Sequence, residues 1–229
     1  MSRLVYILII VAALVGSIPA FAVDGATLIN QASVMAASGF PYKITQPGSY
    51  KLSGNLVVPA ETNGIEVSAA GVNLDLNGFG VTGPIVCDGV GANCSPIPVA
   101  LTKGIVVMSG SLVVRNGYVH GFTRGVAFAQ IVEEIVAFSN SSIGIVTSDA
   151  LVRRNVVSRN GGLGISCHDC TVTENVANSN GGTNPTGTGL ALFKGMFGGN
   201  TLDGNRLGGV ELVGPVVSQG NNSCDGKAC

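Results

Sequence analysis

The side chains best suited to chemistry are three arginines, one glutamate and one histidine in the middle of the chain. Arg115, Arg153 and Arg154 could bind the carboxylates of an acidic sugar, with Glu134 or Arg154 acting as acid or base. His120 is the remaining candidate for proton transfer, because the pKa of histidine lies close to neutrality. The alternative, which we favour, is that the charges form surface ion pairs and that His120 is structural. Each exposed pair of that kind contributes at most about 1 kcal/mol.

Six cysteines could do redox or metal chemistry, and they form three close pairs: Cys87/Cys94, Cys167/Cys170 and Cys224/Cys229. An even number of cysteines in an exported chain favours disulfide bonds. The segment Cys-His-Asp-Cys at 167–170 also fits a redox pair or a metal site. However, a thioredoxin-type pair opens a helix, whereas this segment is predicted to lie in a turn between strands. Zinc needs four ligands, which adjacent turn residues rarely supply, so we expect a disulfide or structural cysteines and no metal.

An internal repeat predicts the elements that position these residues. Glycine followed by an aliphatic residue recurs at intervals of 40, 21, 19, 20, 25 and 20 residues, at Gly64, Gly104, Gly125, Gly144, Gly164, Gly189 and Gly209. The 40-residue interval contains about two repeats, and the 25-residue interval contains an insertion at 183–187. The first and third residues after each glycine are predicted to face inward, Phe128 and Leu212 among them. This period-two alternation is typical of a half-buried strand, and one coil takes about twenty residues.

Asparagines mark two turns in each coil. One set follows the glycine by eleven to thirteen residues, at Asn77, Asn116, Asn155, Asn175, Asn200 and Asn221 or Asn222. The other precedes the next glycine by four residues, at Asn140, Asn160 and Asn205. Ala137 is the expected exception in the first set, and the insertion displaces Asn180 from the second. Asparagine tolerates left-handed backbone angles, and its amide can bond to the equivalent residue one coil away. Between the sets we expect an inward stack of Phe79, Tyr118, Phe138, Val157, Ala177 and Leu202.

Three strands and two turns per coil predict an all-β fold, a single-stranded right-handed parallel β-helix (solenoid) of about eight coils. It spans residues 42–223, with a cysteine-containing insertion loop at 84–101 and a cysteine tail at 224–229. Residues 23–41 are expected to cap the N-terminal end with an amphipathic helix that begins at Asp24 and includes Leu28, Ile29, Val34 and Met35.

Residues 1–22 have the pattern of a signal peptide, with Arg3, an apolar run and a final Ala-Phe-Ala. We therefore expect a secreted or periplasmic protein that has no membrane association after cleavage. The chain has 12 basic and 13 acidic residues, and loss of Arg3 leaves 11 and 13, a net charge of −2. Because no basic stripe remains, nucleic acid is not an expected partner.

Three segments carry a family resemblance: Ile-Thr-Gln-Pro-Gly-Ser-Tyr at 44–50, Leu-Asp-Leu-Asn-Gly-Phe at 74–79 and Val-Arg-Asn-Gly at 114–117. With the later coils, they resemble the right-handed parallel β-helix superfamily, which has the pectate-lyase-like fold. Within it they resemble small exported proteobacterial proteins described only by that repeat. The resemblance implies the fold and leaves the function open, because this fold carries lyases, hydrolases, epimerases and non-catalytic adhesins.

The outward positions of the first strand argue against catalysis there. Lyases need a base and often Ca²⁺ on clustered carboxylates, and hydrolases need paired carboxylic acids. The middle five of these seven positions are uncharged: Glu66, Val106, Ala127, Val146, Ser166, Ala191 and Glu211.

We therefore expect a non-catalytic exported protein without a cofactor that binds carbohydrate, such as a cell-envelope glycan, or is an envelope component. One alternative is a polysaccharide lyase or uronate epimerase, for which Ca²⁺ would be the cofactor. The other is an assembly or adhesion protein that uses the apolar outward stripe of the first strand.

Overall fold

The fold is nearly all β. A computed structural model describes residues 25–88, 93–95, 100–182 and 187–229. They form a right-handed parallel β-solenoid of about nine turns, which confirms the predicted fold with one turn more than expected. No helix within these residues is long and apolar enough to cross a membrane. The predicted signal peptide and Asp24 lie outside the described residues.

The strands stack on three faces, called A, B and C in the order in which the chain passes through each coil. Face A contains β2 (Tyr42–Ile44), β5 (Ile65–Val67), β10 (Lys103–Val107), β12 (Arg124–Ala127) and β14 (Ile143–Ser148). Face B contains β1 (Thr27–Ile29), β3 (Gly48–Leu52), β6 (Val72–Asp75) and β15 (Leu151–Arg153). Face C contains β4 (Leu56–Val57), β7 (Gly80–Thr82), β16 (Val156–Ser158), β18 (Val176–Asn178), β20 (Thr201–Leu202) and β22 (Ser223–Cys224).

Longer strands turn a corner between two faces. Two pass from face B to face C, β11 (Leu112–His120) and β13 (Ile131–Phe138). Three pass from face A to face B, β17 (Ile165–Thr173), β19 (Leu190–Gly198) and β21 (Val210–Ser218). Outside the coils, β8 (Val86–Cys87) and β9 (Cys94–Ser95) form an antiparallel hairpin, and β23 (Lys227–Ala228) pairs antiparallel with β22.

All three predicted disulfides are confirmed: Cys87–Cys94, Cys167–Cys170 and Cys224–Cys229. The first closes the hairpin and the third joins β22 to the chain end. Three disulfides indicate an oxidising environment, extracellular or periplasmic. The second lies in the continuous strand β17, at a bend where Asp169 has a φ of 55°, rather than in the predicted turn between strands.

Face A confirms the alignment drawn from the glycines. The residues that follow them are register partners from coil to coil: Ile65, Ile105, Val126, Ile145, Ile165, Leu190 and Val210. Glycine is needed before them because adjacent coils approach closely. A Cβ atom on Gly164 would lie 2.5 Å from the carbonyl oxygen of Gly189 and 2.8 Å from Nδ2 of Asn180.

One inward prediction on face A is wrong. Phe128 has a φ of 66° and is 43% exposed, and the next residue, Ala129, enters the core instead. A left-handed residue interrupts the alternation of side chains, which the sequence spacing alone does not reveal. Leu212 has the predicted inward register, as the partner of the buried Leu192, but it is 43% exposed because it lies in the last coil.

The apolar outward stripe of face A is largely covered. Val106 is 1% exposed, and Ala127 and Ala191 are 0% exposed, although all three occupy outward positions of their strands. Val146 is half-buried. These residues therefore do not present the continuous exposed contact face on which the assembly hypothesis rested.

In the later coils, two corners share a left-handed residue followed by a buried asparagine, which confirms the asparagine ladders. At the corner between faces B and C, each Nδ2 donates to the next Oδ1 at 3.0–3.1 Å along Asn155, Asn175, Asn200 and Asn222. At the corner between faces C and A, the distances are 2.9–3.0 Å along Asn140, Asn160, Asn180 and Asn205. Each amide is thus satisfied inside the protein, where an unpaired polar group would be costly.

Three details of the ladder prediction are wrong. Asn77 and Asn116 have φ values of 53° and 61° and occupy the left-handed position one residue before the ladder. Ile135, not Ala137, stands at the head of the ladder, where its backbone N–H donates to Asn155 Oδ1. Asn180 is in register, because the insertion follows it in the chain. Counting from the glycines misses these differences, since the distance from the glycine to the corner is 10 residues at Ile135, 11 at Asn155 and 13 at Asn222.

The predicted inward stack of face C is confirmed at Val157, Ala177 and Leu202, which are 0% exposed, and is wrong at Tyr118 and Phe138. Val119, Ala137 and Val157 are successive register partners and are 0% exposed. Tyr118 and Phe138 therefore face outward, because a shift of one residue moves a side chain to the other face of a strand.

The N-terminal end is covered by β1 and a short helix, α1 (Gln31–Ala36). Asn30 caps the helix: its Oδ1 accepts from the Ser33 backbone N–H at 3.0 Å, and Ser33 Oγ accepts from the Asn30 backbone N–H. The helix is shorter than predicted, because Leu28 and Ile29 pair with β3 and belong to β1. Val34 is fully buried beneath it.

Candidate functional site

Outward charges form one column on face B. Lys51, Asp75, Arg115, Glu133 and Arg153 are successive register partners and alternate in sign. This alternation results from the parallel register, which places each charge beside the equivalent position of the next coil.

The candidate arginines are engaged in ion pairs with this column. Arg153 donates to Glu133 Oε2 from Nη2 at 2.6 Å and from Nε at 2.8 Å. Arg154 Nη2 lies 3.2 Å from Glu134 Oε1 and 3.7 Å from Glu133 Oε2. Arg115 is paired more loosely, with Nε 3.9 Å from Asp75 Oδ2. An acidic sugar would have to compete with these carboxylates for Arg153 and Arg154.

Arg115 lines a cavity of about 200 Å³ on face B with Lys51, Asn73 and Asp75. Its walls carry both signs of charge. The cavity is therefore not a purely basic pocket for a carboxylate, because Asp75 neutralises part of the positive charge of Lys51 and Arg115.

His120 lies on a different face from the arginines. It is on the part of β11 that belongs to face C, beyond the corner at Asn116 that separates it from Arg115. The structure therefore brings Arg153, Arg154 and Glu134 together but does not add His120 to them. His120 Nε2 and Thr82 Oγ1 share a hydrogen bond of 3.1 Å.

Three aromatic side chains meet on the outside of face C, and we call Tyr118, His120 and Phe138 the aromatic cluster. The His120 and Phe138 rings stack with centroids 4.5 Å apart, and the Tyr118 and His120 centroids are 6.0 Å apart. Tyr118 Oη donates to Asn55 Oδ1 at 3.1 Å. Burial lowers the pKa of His120 below its usual value, so the imidazole is neutral at neutral pH.

The surface around the aromatic cluster consists of apolar and uncharged polar side chains. Its register partners in the next two coils are Val136 and Val156 in one row, which are 38% and 40% exposed, and Ser158 and Asn178 in the other. At the edge of this surface stands the hairpin of β8 and β9, whose Cys87 Sγ lies 3.5 Å from the carbonyl oxygen of Ser139.

The sequence contained a signal for this site. The inward residues of face C precede the asparagines of the C–A ladder by three positions, as Ala137 precedes Asn140 and Val157 precedes Asn160. Phe138 precedes Asn140 by only two. Counting from the ladder rather than from the glycines would have placed Phe138 outside.

The Cys-His-Asp-Cys segment does not form a metal site. Cys167 and Cys170 are 1% and 3% exposed and face the core as a disulfide, whereas His168 points outward. His168 Nδ1 lies 2.9 Å from Asp169 Oδ2, and Lys194 Nζ lies 2.8 Å from Asp169 Oδ1. The hydrogen bond from Lys194 is the main cause that lowers the pKa of Asp169. Across the described residues, no group of three or more metal-ligating side chains converges.

Comparisons with family models, with curated proteins and with solved structures found no match to this chain.

Proposed function

We propose that this protein is an exported, non-catalytic β-helix that binds neutral carbohydrate on face C. The observation that carries the proposal is the outward aromatic cluster of Tyr118, His120 and Phe138, set in an apolar surface. Sugar rings have apolar C–H faces and a rim of hydroxyl groups, so their sites combine aromatic or aliphatic surface with a few hydrogen-bonding groups.

Face C offers both kinds of contact. Phe138, Val136 and Val156 supply the apolar area, and the half-buried Asn178 supplies a polar group in the row beyond Phe138, where Ser158 is only 8% exposed. Because His120 is neutral, the cluster provides no cation for an acidic sugar. This electrostatic character favours a neutral polysaccharide.

The repeat of the strands suits a polymer. Adjacent coils are about 4.8 Å apart, which is close to the length of one hexose unit in an extended chain. A polysaccharide lying along the solenoid axis could therefore place successive sugars over successive coils.

The ion pairs of the face B arginines argue against catalysis and so favour a binding role. Arg153 and Arg154 are held by Glu133 and Glu134, so that a lyase would first have to break these pairs to bind a uronate. Glycan binding without turnover requires no such step.

The test is retention of the purified protein on immobilised neutral and acidic polysaccharides. We expect binding to a neutral polymer, and we expect Tyr118→Ala and Phe138→Ala each to weaken it about fivefold, the loss of about 1 kcal/mol of aromatic contact. Phe128→Ala is the matched control, because Phe128 is an exposed aromatic residue away from face C. It should bind like the unaltered protein.

Two results would overturn the proposal. One is binding that is insensitive to both face C substitutions but lost in Arg115→Ala or Arg154→Ala. The other is an increase in ultraviolet absorbance from unsaturated uronate products, which would establish a lyase instead.

A further inference from the structure

Two small cavities lie side by side on face B, and Asn73 lines both of them. The first is the charged cavity of about 200 Å³ that contains Arg115. The second has a volume of about 240 Å³ and an aliphatic wall that includes Val113 and Ile131. Together they offer charged and apolar contacts to one small ligand, which is the usual composition of a small-molecule site.

The parallel register produces this arrangement. Asn73 and Asp75 are the outward residues of β6, and their partners in the next coil, Val113 and Arg115, are outward residues of β11. Ile131 continues the row of Val113 into the following coil. The row that begins at Asn73 therefore becomes apolar, while the row of Asp75 stays charged, and the two rows run about 7 Å apart.

The side chain of Asn73 has an acceptor without a donor. Its Oδ1 atom is buried, and no described residue donates a hydrogen bond to it. Buried polar atoms of folded proteins are bonded almost without exception. This oxygen therefore requires a donor group from a ligand or from water.

The charges of the first cavity do not suit a ligand with a single charge. Asp75 would repel a carboxylate, and Lys51 and Arg115 would repel an ammonium group. Asp75 is fixed in place, because its Oδ1 accepts from the Asn77 backbone N–H at 2.7 Å and from Asn116 Nδ2 at 3.1 Å. Arg115 pairs with it only loosely, at 3.9 Å, and keeps 42% of its side chain exposed. The cavity is thus complementary to a ligand that carries both charges close together.

We propose that these two cavities bind a free α-amino acid with an aliphatic side chain. Its ammonium group donates to Asn73 Oδ1 and to the Asp75 carboxylate, and its carboxylate accepts from the Arg115 guanidinium. Its side chain packs on Val113 and Ile131 in the second cavity. The site lies on a different face from the aromatic cluster and takes a different class of ligand, so it does not depend on carbohydrate binding.

The experiment is isothermal titration calorimetry of the purified protein with L-leucine, for which we expect one molecule bound per chain. N-acetyl-L-leucine lacks the ammonium group and L-leucinamide lacks the carboxylate. Each should bind about tenfold more weakly or worse, because each loses charge-assisted hydrogen bonds. Glycine should also bind about tenfold more weakly, since it has no side chain to bury.

Two substitutions test the same contacts from the side of the protein. Asn73→Ala should weaken leucine binding about fivefold, and Arg115→Gln about tenfold or more. Arg159→Gln is the matched control, because Arg159 is an exposed arginine at the corner between faces C and A. It should bind leucine like the unaltered protein, and circular dichroism should show the same β fold in all three variants.

Three results would overturn the proposal. One is the absence of leucine binding. Another is binding of N-acetyl-L-leucine or L-leucinamide as tight as that of leucine, because the site would then recognise a single charge. The third is leucine binding that is unchanged in Asn73→Ala and Arg115→Gln, or weakened equally in Arg159→Gln, because the ligand would then lie elsewhere.

Discussion

The two ends of this solenoid differ in how completely the terminal coil is covered. At the N-terminal end, α1 and β1 cover the first coil, and Val34 and Ile29 are excluded from solvent. At the C-terminal end, β21 continues the pattern of the previous coil and stops, which leaves Leu212 and Val217 partly exposed. A repeat that buries its residues only against neighbouring repeats needs added structure wherever neighbours end. Here the added structure exists on one side, and on the other it covers one face only.

The largest expected effect compares a buried residue of the covered end with an exposed one of the open end. Val34→Asp should lower the free energy of unfolding by about 3 kcal/mol or more, because it buries a carboxylate without a partner. Leu212→Asp should lower it by less than about 1 kcal/mol. Urea unfolding measures both. Equal losses would mean that the two ends are covered alike.

A smaller effect should come from the disulfide that holds the chain end. Replacing Cys224 and Cys229 together by alanine should destabilise the last coil by about 2 kcal/mol, the chain entropy of a short loop. We expect amide hydrogen exchange to become faster in β20 and β22 and to stay unchanged in β1 and β3. Faster exchange throughout would show that the two ends unfold as one unit.

The smallest effect concerns the cap of α1. Asn30→Ala should cost about 1 kcal/mol, because it removes the acceptor for the Ser33 backbone N–H. Asn30→Ser should restore most of that loss, since serine is also a good N-cap. Thermal unfolding compares the two variants, and an alanine variant as stable as the original would show that the cap does not limit the stability of the covered end.

The fold could be predicted because its repeat depends on positions at which few other residue types fit. Gly164 cannot carry a side chain beside Asn180 and Gly189, and each buried asparagine requires another one coil away. These constraints recur at almost constant spacing, so the coil and its register on face A were predictable.

The details of the site were less accessible because they depend on single residues at the corners. The left-handed backbone of Phe128 and Glu134 changes which later side chains face inward, and such angles have no fixed sequence signal outside glycine and asparagine. A shift of one residue was enough to place Tyr118 and Phe138 in the core instead of on the surface. The ion pairs of face B were easier to predict, because residues at equivalent positions of adjacent coils have opposite charges.

The asparagine ladders have a consequence for how this chain can change in length. Each ladder amide bonds to an asparagine of an adjacent coil, and the residues 145–164 comprise one complete period between two equivalent positions. A duplication of that stretch would return every amide to the same kind of partner and lengthen the rod by about 4.8 Å. A shorter insertion inside a strand would leave an amide without its partner. The rod can therefore lengthen only by whole coils.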